Sequence, residues 1–400
     1  MEQTTTASQG PYKRLLATGG FESFLSTQFL GAFNDNVYKM MVSMLAVEIA
    51  VNHQLGARYL AIANAVFVLP YLLFAGYAGQ IADRFSKTRV LQITKSLEIV
   101  TMGLGLTALL LNRIDLLLGV LFLLAVQANF FSPAKYGILP EMMGEAELSA
   151  GNGLVEFTTL AAIVLGTSFG SFLVAIWKHD PWKLGGTLLA IAVAGTLCSL
   201  RITKVAPSGA SQRFHWNPFQ EVWLGVRELR HNRPLALTIA GLSYFWFLGA
   251  LFYMAILLMG KETLHVTEVQ SGLLATALAM GIGAGSIAAG WISRNHIELG
   301  LVPLGSLLLG LFSIVLCFAH SYALAMALLV LMGFSGGLYF IPLNAFLQER
   351  AGAQEKGRML AINNVVNTVG MLLSSAVVWV LHDRLHWSAA HIIGALGVLT

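Results

Sequence analysis

Gly79-Gln80-Ile81-Ala82-Asp83-Arg84-Phe85-Ser86-Lys87-Thr88-Arg89 is a short charged stretch set between two long apolar runs, residues 58–82 and 89–111. About 20 mostly apolar residues carry a helix across a bilayer core, and both flanking runs are that long. Within the stretch, Gly79 permits close helix approach. Asp83 can pair with basic groups, or with a helix N-terminus, across a seam between helices. Together with Arg84, Lys87 and Arg89 it reads as a conformational gate. A plainer reading fits the same residues: any loop on the inner face of a membrane is basic.

Outward from this stretch the pattern repeats. Further apolar runs cover about 23–50, 114–138, 149–177, 182–201, 235–260, 269–292, 299–319, 322–347 and 357–381, and a twelfth begins near Ser388 and reaches Thr400 after too few residues to span. The expectation is an all-α membrane protein of 12 transmembrane helices, with the twelfth truncated in this sequence. Composition points the same way. Of 400 residues 56% are hydrophobic and 11% charged, against about 25% charged in soluble proteins, and the mean hydropathy is +0.71. The net charge of +4 is explained by basic loops and implies no nucleic-acid partner. Cys198 and Cys317 form neither a disulfide framework nor a ligand set. No Ser/His/Asp set, phosphate loop or metal cluster is apparent, so an enzyme, a cofactor or a resident metal is not expected within these residues.

Basic residues set the orientation. With the N-terminus cytoplasmic, the inner segments hold Lys13, Arg14, Arg84, Lys87, Arg89, Arg201, Lys204 and others, and outnumber those of the outer loops. One long inner connection divides the chain into a first half at 1–201, a linker at 202–233 and a second half at 234–400. In the linker Phe219, Val222, Trp223, Val226 and Leu229 recur at helical spacing opposite Arg227 and Arg230, which predicts an amphipathic helix at the interface. The halves resemble each other. Phe131-Ser132-Pro133-Ala134-Lys135 corresponds to Phe340-Ile341-Pro342-Leu343-Asn344, and Asn152 and Glu156 correspond to Asn363 and Asn367. Repeats with polar positions in register belong to transporters that rock two halves around a central site.

Polar residues inside spans are costly and point to a cavity or a partner. Asp35, Asn36 and Lys39 lie deep in the first span. Asp35 and Lys39 share a helix face and form either part of a substrate site or an intrahelical ion pair. Lys95, near an inner end, is read as snorkelling and pairing with Glu98. Lys135, beside Tyr136 and after the helix-breaking Pro133, suits a phosphate at the inner mouth or a gate salt bridge to Glu141, Glu145 or Glu147. Asn152, Glu156, Asn363, Asn364 and Asn367 either join helices or line a polar path. Asn344 and Gln348 share a face at the end of the tenth span, where Glu349 and Arg350 complete a second gate element or anchor the helix. Aromatics such as Tyr253 in the seventh span suit an apolar slot.

The stretch from Gly79 to Arg89 resembles the signature of the major facilitator superfamily. The runs Gln28 to Asn36, Ser132 to Leu139, Asn152-Gly153-Leu154 and Pro342 to Arg350 resemble the bacterial lysophospholipid transporters of that superfamily, and also the transporter half of fusions with an acyl-acyl carrier protein synthetase and acyltransferase. The resemblance implies two six-helix halves in the bacterial inner membrane. It implies that lysophospholipids such as lysophosphatidylethanolamine are moved across without covalent chemistry, for re-acylation by a cytoplasmic acyltransferase, fused or separate. Asp35, Lys135 and Glu349 map onto charged positions of the family's motifs. Two departures stand out: Asn34 precedes Asp35 where glycine is common, and no charge lies between Leu235 and Gly260. The expected site joins a small polar pocket to an apolar slot open to membrane lipids. Lys135 or Arg350 would hold phosphate there, and Asp35 or Glu156 an ammonium. A proton-coupled efflux carrier for amphipathic drugs, or a membrane module docking a fused acyltransferase, remain alternatives at this level.

Overall fold

The computed structural model describes residues 11–17, 19–53, 66, 68–177, 179–207, 216–293, 296–352 and 355–400. The chain runs through α1 (Pro11–Leu16), α2 (Gly19–His53), α3 (Ala75–Arg84), α4 (Lys87–Leu110), α5 (Ile114–Gly137), α6 (Leu139–Met142), α7 (Glu145–Trp177) and α8 (Pro181–Ser199). It continues through α9 (Pro218–Leu229), α10 (Arg233–Glu262), α11 (Glu268–Ile292), α12 (Leu301–Cys317), α13 (Tyr322–Arg350), α14 (Lys356–Val378), a π-helical turn (Trp379–Arg384) and α15 (Ala389–Leu399). No strand occurs among the described residues. Among the described residues eight helices, α4, α5, α7, α8, α10, α11, α13 and α14 with its π-helical extension, are long and apolar enough to cross a membrane. With 35 residues, α2 has the length, but Asn34, Asp35, Asn36 and Lys39 interrupt its apolar run. Part of the expected second span, residues 58–65 and 67, lies outside the described residues, and α3 is its inner end.

The helices are inverted relative to a soluble bundle. On α4 the apolar Ile93, Leu97, Val100 and Leu104 form an exposed stripe, while Lys95 and Glu98 are each only 1% exposed. That arrangement suits a lipid environment, where an apolar surface costs nothing and polar groups must find partners inside. Two of the buried clusters each lie within one half. One joins Tyr38 and Met41 of α2, Met102 of α4, Leu124 of α5, Leu173 of α7 and Leu188 of α8. The other joins Leu251 of α10, Leu274 of α11, Leu316 of α12, Met332 of α13 and Ile393 of α15. At the basic-loop end the cores mix across the halves, with Ala345 buried among first-half residues such as Ile138 and Leu148.

The linker carries the expected helix, α9, with Val226 and Leu229 of its apolar face inward but Trp223 outside. Gly225 and Leu229 are buried, Val226 packs on the second-half core, and Trp223 is 61% exposed with the Arg230 guanidinium 6.0 Å from its ring centroid. Seven residues apart, Trp223 and Arg230 share a face and are not on opposite ones, and docking turns that face outward. Glu228 pairs with Arg358 of α14, and Gly225 lies against Ile362, which commits the neighbouring edge of the helix to the bundle and leaves Trp223 outside.

Candidate functional site

Two adjoining cavities occupy the middle of the bundle. The first, about 220 Å³, lies wholly among first-half residues, including Gln28, Asp35, Asn36, Lys95, Glu98, Gln127, Lys135 and Thr159. The second, about 370 Å³, lies between the halves and is lined by Val68, Ile163, Trp246, Phe340, Leu360 and Met371 together with Asn344, Asn363, Asn364, Asn367 and Thr368. Tyr71, Ser132, Tyr136 and Ile163 belong to both walls, so a chamber lined by charged side chains adjoins a mainly apolar one.

Charges in the polar chamber fall into two kinds. Glu98 is saturated: it pairs with Lys95 and accepts from Asn34 Nδ2 at 2.9 Å and Gln127 Nε2 at 3.2 Å. Room for the Lys95 ammonium comes from α8, where a Cβ on Gly195 would lie 3.0 Å from Nζ. Lys95 therefore pairs with Glu98 as the sequence suggested, but inside the chamber wall and not at the membrane surface. Lys135 and Asp35 are of the other kind. Lys135 is 8% exposed. Its Nζ donates to Thr159 Oγ1 at 2.9 Å and lies 5.1 Å from the Tyr136 ring centroid, which leaves ammonium hydrogens for a ligand. Asp35 lines the same chamber with no hydrogen bond or ion pair from the described residues. Pro133 lies inside α5, two residues before Lys135, and Pro342 inside α13, two before Asn344, so equivalent helix ends supply both chambers.

One end of the bundle is shut by contacts between halves. Asn152 of α7 donates to Gln348 Oε1 of α13 at 3.0 Å, and its Oδ1 accepts from Gln348 Nε2 at 2.7 Å and Asn344 Nδ2 at 3.1 Å. Asp83 accepts from the backbone N–H of Gly357 at 2.5 Å and of Arg358 at 2.8 Å. These are amides of the first turn of α14, whose own N-cap residue, Glu355, makes no side-chain cap. Asp83 thus caps a helix of the opposite half. The helices meet there through Gly79, where a Cβ would lie 3.0 Å from Ala361 Cβ and from the Gly357 carbonyl oxygen. Arg358 extends the seal to Glu228 of the linker helix and to Glu355 at 2.7 Å. Burial, helped by the neighbouring Glu355, raises the Glu228 carboxyl above its ordinary range against the pull of Arg358.

The residues singled out in the sequence are distributed as follows. Asp35, Asn36, Lys135 and Tyr136 converge on the polar chamber. Asn344 lines the inter-half chamber and also reaches the clasp. Asn152, read as joining helices or lining a polar path with substrate, and Gln348, a candidate substrate contact beside Asn344, are bonded to each other across the seam, because their faces meet when this end closes. Glu156 is buried and lies outside both linings, three residues before Thr159 on α7 and close enough for its charge to act on Lys135. Lys39 lines neither chamber, and Tyr253 is 53% exposed on α10 away from both. Lys87 pairs with Glu141, so Glu141 is engaged by a lysine other than the expected Lys135. Arg84, Arg89, Glu349 and Arg350 are exposed. Gln28, Tyr71, Gln127 and Thr159 are single polar residues in apolar helices, which nothing in the sequence pattern marks, and Arg358 reads there as one more basic residue of an inner segment.

The profile of the Major Facilitator Superfamily matches residues 24–398. Among curated proteins, the chain is 31% identical over 373 residues to the lysophospholipid transporter LplT of Cronobacter sakazakii, covering 92% of this chain and 89% of that protein. It is also 31% identical over 360 residues to LplT of Escherichia coli O1:K1, covering 88% and 86%. Among solved structures, an outward-conformation crystal structure of the transporter FucP superposes with a TM-score of 0.73 at 15% identity, covering 94% of this chain and 95% of that one. The human organic anion transporter MFSD10 superposes with a TM-score of 0.72 at 13% identity, covering 94% and 97%. At those identities the structures speak to the fold alone.

Proposed function

Because the chain belongs to the major facilitator superfamily, and within it to the family of the lysophospholipid transporter LplT, we propose that it moves lysophospholipids across a membrane by alternating access. The observation that carries this reading is the pairing of chambers. A lysophospholipid has a phosphate, a polar headgroup and a single acyl chain, and it needs a small charged pocket continuous with an apolar space. Lys135 supplies an ammonium for the phosphate. Asp35 supplies a carboxylate for the headgroup ammonium of lysophosphatidylethanolamine. The Lys95–Glu98 pair adds a nearly neutral wall. Trp246, Phe340, Leu360 and Met371 receive the start of the acyl chain.

The cycle alternates between the state seen here, sealed by Asp83 and by Asn152–Gln348, and one in which those contacts part while the far end closes. If the basic loops face the cytoplasm, the sealed state opens outward, and the bacterial inner membrane is the setting. The halves at 1–201 and 234–400 are the moving bodies and the linker at 202–233 joins them. A cytoplasmic acyltransferase, fused or separate, would consume the delivered lipid. Uptake of radiolabelled lysophosphatidylethanolamine by spheroplasts tests the binding roles. Asp35→Asn and Lys135→Gln should each lower uptake by roughly tenfold or more, as expected for loss of one buried charge contact. Full uptake by both variants at wild-type expression would remove the assignment.

A further inference from the structure

The inter-half chamber contains a polar feature that neither the phosphate nor the ammonium uses. Asn363 and Asn367, one turn apart on α14, form part of its wall at 7% and 6% exposure. The side-chain oxygen of each is shut off from the open space of the chamber and has no hydrogen-bond partner among the described residues; a half-turn of the amide about its soft terminal torsion presents that oxygen to the chamber. The amide between them in sequence is differently engaged: Asn364 Nδ2 donates across the seam to Ser132 Oγ at 2.9 Å. Ser132 is one of the residues shared by the two chambers. Through Asn364 the Asn363–Asn367 turn is tied to Ser132, where the two chambers share a wall.

Resting on the transport reading above, we propose that Asn363 and Asn367 recognise the free hydroxyl on the glycerol of a lysophospholipid. In such a lipid the glycerol separates the phosphate from the acyl chain. With the phosphate at Lys135 and the chain among the apolar residues, the glycerol comes to the junction. Its hydroxyl carries the one O–H donor of the glycerol, and amide oxygens are the acceptors it needs. A diacyl phospholipid has an ester at that carbon and no donor, so it would leave both oxygens unpaired while bringing a second chain. Sites that hydrogen-bond a substrate hydroxyl discriminate strongly against analogues that lack it, because the buried partners are left without a bond. The two asparagines thereby distinguish a lysolipid from the bulk lipid that surrounds the protein in large excess.

The test compares 1-acyl lysophosphatidylethanolamine with its 2-deoxy analogue, identical in headgroup, charge and chain, in proteoliposomes holding the intact chain. The wild-type protein should move the natural lipid roughly tenfold faster than the analogue. In the Asn363→Leu, Asn367→Leu double variant the two rates should become equal, at the level of the analogue. Equal rates in the wild type overturn the inference while leaving transport intact, and this arm does not depend on any variant folding. A double variant that keeps the wild-type preference also overturns it. A wild-type protein that moves neither lipid overturns the transport reading itself, together with this inference.

Discussion

Replacing Asp83 with alanine removes the cap that one half provides for the first turn of α14 in the other. The structure sets the size of the effect. Asp83 is 5% exposed and accepts two amide hydrogens, from Gly357 and Arg358, and α14 has no side-chain cap of its own. Loss of an N-cap costs about 0.5–2 kcal/mol, and loss of a negative charge at a helix N-terminus a further 0.3–1 kcal/mol or so. Those contacts exist only while this end is closed, so Asp83→Ala should shift the equilibrium away from closure by about 1–3 kcal/mol, on the order of 5- to 150-fold. Asp83→Asn keeps an acceptor and loses the charge, and should fall between. Spin labels at Phe85→Cys and Leu299→Cys, both exposed residues near this end, would report the separation of the halves after Cys198 and Cys317 are replaced. A longer-distance population should grow from wild type to Asp83→Asn to Asp83→Ala. Identical distance distributions in all three proteins would refute the reasoning.

Three further outcomes follow from the same geometry. Gln348→Leu removes a fully buried partner of Asn152, should weaken closure by about 1–3 kcal/mol, and is checked by the same spin-label distances. Gly79→Val should oppose closure more strongly, since its Cβ would already lie 3.0 Å from backbone of α14, and cross-linking between cysteines at the two sides of the seam should fall. Glu98→Ala strips the carboxylate from Lys95, which is 1% exposed, and should cost about 3–5 kcal/mol, read as a lower melting temperature in detergent. The Lys95→Met, Glu98→Leu double variant should recover much of that stability.

The long apolar runs were enough to place most spans, because a bilayer demands continuous hydrophobic length, and the Pro133 and Pro342 endings were visible as a repeat. Asp35 and Lys135 also stood out, since a charge deep in a span needs a reason. What the sequence withheld was pairing across the chain. Asn152 and Gln348 are 196 residues apart, and helical periodicity gives the face each occupies but not the helix that face meets. The same ignorance turned Tyr253 inward on paper, since exposed and cavity-lining aromatics look alike when every surrounding residue is apolar. Lys95 was read from its distance to the membrane surface. Its true position depends on space left by Gly195, on a helix a hundred residues away. Arg358 looked like one more topological charge until α9 docked and presented Glu228.

The central claim is that this chain carries a lysophospholipid from one face of a membrane to the other through the paired chambers. Reconstituting the purified protein in vesicles with labelled lysophosphatidylethanolamine in one leaflet, and following its extraction by albumin over time, measures that movement directly. The account predicts that label crosses much faster than in protein-free vesicles and that Asp35→Asn or Lys135→Gln returns the rate towards the protein-free value. Label crossing no faster with the wild-type protein than without it would contradict the account.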